Sequence, residues 1–128
     1  MPRVLVIDDQ SFVRSTISLI LKTKGYDVEE ADGGKIGLKK LEEADFDLVL
    51  VDIYMPGMDG VKIIKLIRER SPDLPLIAMS GVTLNSSERT ALDYFSIVPE
   101  LSNVPCLKKP FRPEQLAEAI QKVMGVAA

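Results

Sequence analysis

The chain has 128 residues, 46% hydrophobic and 27% charged, with a net charge of -3. That length allows one domain with a packed core, and the charge balance leaves no basic tract to follow a phosphate backbone, so direct nucleic-acid binding is not expected. Histidine is absent, which excludes Ser-His-Asp and Cys-His catalysis and any phosphohistidine on this chain.

The first element is Arg3 to Ile7, a short apolar run that stops at Asp8 and Asp9 and reads as a buried strand ending in acids. Its apolar part is too short, and too soon acidic, for a signal peptide. No later run approaches the roughly 20 apolar residues of a membrane span, so a cytoplasmic chain without membrane insertion is expected. Val13, Ile17, Ile20 and Leu21 follow helical spacing, and Gly25 sits where a C′ glycine ends a helix. Asp27 to Ala31 is a brief strand. Asp32 is placed to cap the next helix, in which Leu38 and Leu41 face inward. Gly33, Gly34 and Gly37 weaken that helix, since an interior glycine costs about 1 kcal/mol relative to alanine.

The stretch from Asp47 to Gly60 organises the rest. Leu48 to Val51 is a continuous, branched apolar run, the pattern of a parallel strand buried on both faces, and it ends at Asp52. The following Met-Pro-Gly-Met-Asp-Gly is turn chemistry. Asp59 then opens a helix to about Arg70, with Ile63, Ile64 and Ile67 on one side. Ser71-Pro72-Asp73 closes it, and Pro75 to Met79 forms a strand finishing in Ser80-Gly81. Between Val82 and Asn103, Asn85 and Glu88 suit a helix start, Leu92 and Phe95 an inward face, and Pro99 a limit. Val104 to Leu107 is a last strand, leading into Lys108-Lys109-Pro110-Phe111. Pro113 suits the first turn of a closing helix that turns Leu116, Ala119, Ile120 and Val123 inward.

Strands alternating with helices predict an α/β fold, a doubly wound, five-stranded parallel sheet in the order 2-1-3-4-5, covered on both faces. In that order the ends of strands 1, 3, 4 and 5 are neighbours, so Asp8, Asp9, Asp52, Ser80 and Lys109 share one rim. Three carboxylates in one pocket repel and collect a cation; oxygen ligands beside a phosphate favour Mg²⁺. A lysine and a hydroxyl alongside suit the oxygens of a transferring phosphoryl group, and Asp52 is placed to act as nucleophile.

The opening Val-Leu-Val-Ile-Asp-Asp, together with Asp-Ile-Tyr-Met-Pro-Gly-Met-Asp-Gly, Ile-Ala-Met-Ser-Gly and Leu-Lys-Lys-Pro-Phe, resembles the receiver domain of bacterial response regulators of the single-domain, chemotaxis-like kind. The resemblance spans residues 3 to 111 and implies a flavodoxin-like three-layer sandwich making one receiver domain of residues 1-128. It implies that Asp52 accepts a phosphoryl group from a histidine kinase or histidine phosphotransfer protein. It further implies that Asp9 binds Mg²⁺ directly, that Asp8 holds it through water, and that Asp52 and the Tyr54 carbonyl complete the metal set. Ser80 becomes the hydroxyl that follows phosphorylation, Lys109 the lysine that pairs with phosphate, and Lys108 a solvated neighbour. A cis Lys109-Pro110 bond is implied as well. Such a protein is not an enzyme in the turnover sense; it assists its own phosphorylation and dephosphorylation, signals to a downstream protein target, and is a monomer or weak dimer.

Three features depart from the family pattern. Cys106, the one cysteine, stands where an aromatic switch residue is common, and it cannot form an internal disulfide. The approach to the last strand, Glu100 to Cys106, replaces the usual Gly-Ala-Asp. Tyr54 and Val82 flank the site where polar residues often sit, so they are expected to overhang the path of hydrolytic water and prolong the phosphorylated state. The alternatives are a haloacid-dehalogenase-type, Mg²⁺-dependent aspartyl-phosphate phosphatase, a flavin or nucleotide binder, and a pseudo-receiver that takes no phosphate. The first would want Asp-x-Asp where this chain has Asp8-Asp9-Gln10, the second a Gly- or Ser/Thr-rich phosphate loop after the first strand, where this chain is acidic. The third usually lacks a key residue, and here all are present.

Overall fold

The computed structural model describes residues 2–55, 58–81 and 103–125. In chain order these form β1 (Arg3–Ile7), α1 (Ser11–Thr23), β2 (Asp27–Ala31), α2 (Gly34–Glu43), β3 (Leu48–Asp52), the two-residue strands β4 (Tyr54–Met55) and β5 (Met58–Asp59), α3 (Gly60–Arg70), β6 (Leu76–Ser80), β7 (Cys106–Lys108) and α4 (Pro113–Met124). The main sheet is all parallel, in the order β2-β1-β3-β6-β7, which is the expected 2-1-3-4-5 order once the small β4-β5 hairpin is set aside. The helix expected between Val82 and Asn103 lies outside the described residues.

Alternation along each strand builds two cores, one per face of the sheet. Leu5, Ile7, Val49, Val51, Leu76 and Ala78 pack against Ile63, Ile64 and Ile67 of α3, with Leu38 and Leu41 of α2 partly buried beside them. Val4, Val6, Leu48, Leu50, Ile77 and Met79 face Ile17 and Leu21 of α1 and Leu116 and Ile120 of α4. Every residue of β3 and β6 is buried, as central parallel strands covered on both sides must be. Burial of each such aliphatic side chain contributes about 1.5–3 kcal/mol.

Helix ends follow local chemistry in most places. At the end of α1, Gly25 takes a φ of 91°. Its N–H donates to the Lys22 carbonyl at 3.0 Å and that of Tyr26 to the Leu21 carbonyl at 3.1 Å, the paired bonds of a Schellman turn. Pro113 is the first residue of α4, and Gln115 Oε1 accepts from the Arg112 N–H at 2.7 Å. Asp32, by contrast, does not cap α2. The helix starts one residue later than that role requires, with extended Gly33 at the N-cap and no side-chain acceptor. Gly37 has a packing reason that outweighs its propensity cost: a Cβ there would run into the Ile7 side chain, so its absence lets α2 lie close on β1. The last strand begins at Cys106 rather than Val104, because Pro105 has no N–H for the ladder and only its carbonyl takes part, accepting from Ala78 at 2.9 Å.

Candidate functional site

The register carries the polar strand ends to one rim. Ile7 pairs with Val51, Asp52 with Met79, and Ser80 with Lys108. The residues just past or at these pairs, Asp8, Asp52, Ser80 and Lys109, therefore meet at the carboxyl edge, where open α/β sheets form their ligand crevice.

Each is placed by its own backbone. The Asp8 N–H donates to the Ala31 carbonyl at 3.1 Å, the last bond between the β1 and β2 chains. Asp8 Oδ1 then accepts from the Gln10 N–H at 2.9 Å, an Asx-type turn that swings the chain into α1. Asp52 ends β3, and the chain turns at once through the β4-β5 hairpin into α3. Gly60 is required there, since a Cβ would collide with the Ile53 backbone and the Asp52 carbonyl oxygen. The Lys109 N–H donates to the Ser80 carbonyl at 2.7 Å, and the Lys109-Pro110 bond is cis, as expected.

The side chains converge. The Lys109 ammonium lies 2.6 Å from Asp8 Oδ2 and 3.1 Å from Asp52 Oδ2. Asp8 is 0% and Asp52 3% exposed, and Lys109 only 9%. Asp9, exposed, brings a third carboxylate, and one oxygen from each of Asp8, Asp9 and Asp52 falls within 4.8 Å of the others. Among the described residues, Lys109 thus pairs with two of three clustered carboxyl groups, a balance that favours a further cation. A hard, all-oxygen donor set of this size fits Mg²⁺. Ser80 is fully buried, and its Oγ accepts a weak bond from the Cys106 thiol at 3.9 Å. Lys108 is exposed, as expected. Tyr54 opens the hairpin two residues beyond Asp52; its side chain and all of Val82 lie outside what the structure describes, and so does the overhang expected of them. At the opposite rim, burial lowers the pKa of Arg68 from its usual value, partly opposed by Asp73.

Two features of the rim escaped the sequence reading. Arg14 reaches back from α1, its Nη1 donating to the Asp8 carbonyl at 2.8 Å and its Nε to Glu30 Oε1 at 2.9 Å. Its sequence signal is slight, an arginine one turn into a helix that follows an acidic pair. Phe12, 83% exposed, stands on the same helix beside a mainly apolar groove of about 500 Å³ that also borders Val13, Ile20, Lys109 and Phe111. An apolar residue in the first turn reads as core until the helix's facing is known.

A family profile described as the response regulator receiver domain matches residues 4–121. The response regulator receiver protein CpdR of Brucella abortus is 32% identical over 127 residues, covering 99% of this chain and 100% of its own. The chemotaxis protein CheY of Thermotoga maritima is 32% identical over 127 residues, covering 94% of this chain and 96% of its own. Among solved structures, the response regulator TrrA of Thermotoga maritima in complex with Mg²⁺-BeF superposes with a TM-score of 0.78 at 29% identity, covering 96% of this chain and 99% of that one. The chain spans about half (49%) of the transcriptional regulatory protein ResD of Bacillus subtilis, to which it is 29% identical, and 12% of the sensor kinase CckA of Brucella abortus, at 31% identity. No helix among the described residues is long and apolar enough to cross a membrane. With the strand order, the rim and the matched span in agreement, the chain belongs to the response regulator receiver domains of two-component systems.

Proposed function

We propose that this chain is a phosphoacceptor switch in which Asp52 takes a phosphoryl group from the phosphohistidine of a histidine kinase or histidine phosphotransfer protein. The observation that carries the reading is the buried Lys109 ammonium held between Asp8 and Asp52, with a third carboxylate at hand. One Asp52 carboxylate oxygen attacks phosphorus while the P–N bond breaks. The departing imidazole keeps the bonding pair and takes a proton from solvent, leaving an acyl phosphate. Lys109, already in contact with an Asp52 oxygen, pairs with an oxygen of the new phosphoryl group. The Ser80 hydroxyl, at the end of the neighbouring strand, turns from Cys106 to donate to another, which transmits the event to the surface around β6 and β7. Mg²⁺ held by Asp8, Asp9, Asp52 and the Tyr54 carbonyl would supply positive charge to offset the phosphoryl oxygens; the Mg²⁺-BeF complex of TrrA supports that assignment by kinship.

The phosphodonor needs a place to dock, and exposed Phe12 with its apolar groove adjoins Lys109, which makes it the surface such a protein would cover. The domain is read as a stoichiometric acceptor that assists its own phosphorylation and dephosphorylation rather than as a turnover enzyme. It works in the cytoplasm and passes its state to a downstream protein by direct binding.

The test is labelling by acetyl phosphate with Mg²⁺, detected as a base-labile mass increase. Wild type should be labelled, Asp52→Asn should not, and Asp9→Ala should be labelled far more slowly. Undiminished labelling of Asp52→Asn overturns the assignment. In the same series Phe12→Ala should slow transfer from a phosphorylated histidine phosphotransfer protein roughly 10-fold, the size expected for an aromatic hot spot, while leaving labelling by acetyl phosphate unchanged.

A further inference from the structure

We propose that Arg14 is a positioning residue for the cation site, clamping the acidic turn from behind; the inference rests on reading the rim as a Mg²⁺ site. Asp8 is held at every polar atom. Its N–H donates to the Ala31 carbonyl, its Oδ1 accepts from the Gln10 N–H, its Oδ2 accepts from Lys109, and its carbonyl accepts from Arg14 at 2.8 Å. That carbonyl belongs to the same rigid peptide plane as the nitrogen and Cα of Asp9. Fixing it therefore fixes where the Asp9 Cα sits, the point from which the exposed Asp9 carboxylate reaches the site. Arg14 is itself anchored: its Nε donates to Glu30 Oε1 at 2.9 Å, and its side chain is 17% exposed. Glu30 sits on β2 opposite Val6 of β1, so the clamp ties α1 to the sheet at the point where the acids gather. Three mutually repelling carboxyl groups would otherwise spread, and a donor set that spreads loses its cation. Supporting groups behind metal ligands work in this way elsewhere, and losing one costs roughly 10-fold or more in affinity.

Charge alone predicts the opposite sign. Arg14 is a cation near a cation site, so removing it should tighten Mg²⁺ binding if its role were electrostatic. As a positioning residue its loss should weaken binding. The experiment is a Mg²⁺ titration of the isolated chain, followed by the amide shifts of Asp9 and Gln10, with a thermal melt of the metal-free protein alongside. Arg14→Ala is expected to weaken binding roughly 10-fold. Arg14→Lys, which keeps the charge but cannot span both partners, should weaken it as well and stands in should the alanine variant fail to fold. Glu30→Ala should repeat the defect of Arg14→Ala, with the double variant no worse than either single one. Glu30→Gln, which keeps an acceptor for the guanidinium, should stay close to wild type. Binding by Arg14→Ala or Arg14→Lys that is unchanged or tighter, with the fold intact, overturns the proposal and leaves the Mg²⁺ site standing. A wild-type chain that binds no Mg²⁺ removes both.

Discussion

Two clusters on this molecule set cations between carboxylates, and they behave as different materials. At the β2 edge, Arg3 meets Asp27 at 3.6 Å and also Glu29, which Lys40 joins at 3.3 Å; these side chains are 32–59% exposed. At the rim, Lys109 meets Asp8 at 2.6 Å and Asp52 at 3.1 Å, with side chains at most 11% exposed. Water does most of the solvating at the edge, so each pair there adds little stability and chiefly keeps an edge strand from pairing with another chain. At the rim the charges have left water, and desolvation offsets much of what their attraction gains. A cluster of that kind is a poor way to hold a fold together. Its place at the crevice of the sheet is what gives it a use.

The comparison breaks most visibly at Lys109. Lys109→Ala leaves Asp8 and Asp52 buried with no ammonium between them, and a loss of about 3–5 kcal/mol is expected, read from urea unfolding. Asp52→Asn should act in the other direction. It removes one of three crowded carboxylates while Lys109 keeps Asp8, so the metal-free protein should gain on the order of 1 kcal/mol, an estimate from like-charge repulsion in a medium of intermediate dielectric. A lower thermal midpoint for Asp52→Asn would show that attraction to Lys109, not repulsion among the acids, dominates the rim. Lys40→Ala at the edge should cost less than about 0.5 kcal/mol. That small effect should vanish near 1 M salt, where exposed charges are screened within roughly 3 Å, whereas the Lys109→Ala penalty should largely persist.

Legibility differed along the same line. β1 and β2 carry the limits read from the sequence: β1 because an unbroken apolar run ended by acids has few other ways to be satisfied, and β2, in which only Val28 and Ala31 are apolar, because Gly25 before it and Gly33 after it bound it. The rim was legible too, since a parallel order places the residue after each strand on one side. Asp32 misled because capping depends on where a helix begins to within one residue, and Gly33 moved that point. Val104 misled because it is apolar and buried yet precedes a proline that has no N–H to give the ladder.

By itself, then, the sequence determined the five strands of the main sheet and the helices α1 to α4, their alternation, and which polar residues stand at the strand ends, while the short β4-β5 pair was legible only as turn chemistry. These follow from periodicity and turn chemistry, properties of neighbours along the chain. Tertiary structure alone decided how closely Lys109 seats between Asp8 and Asp52, that the Cys106 thiol touches the Ser80 hydroxyl, and that Arg14 crosses from α1 to the Asp8 carbonyl. It alone left Phe12 in water beside the site. Each of these joins residues on separate elements, and the distance between them is set by how helices seat on the sheet, down to a single missing Cβ at Gly37 or Gly60.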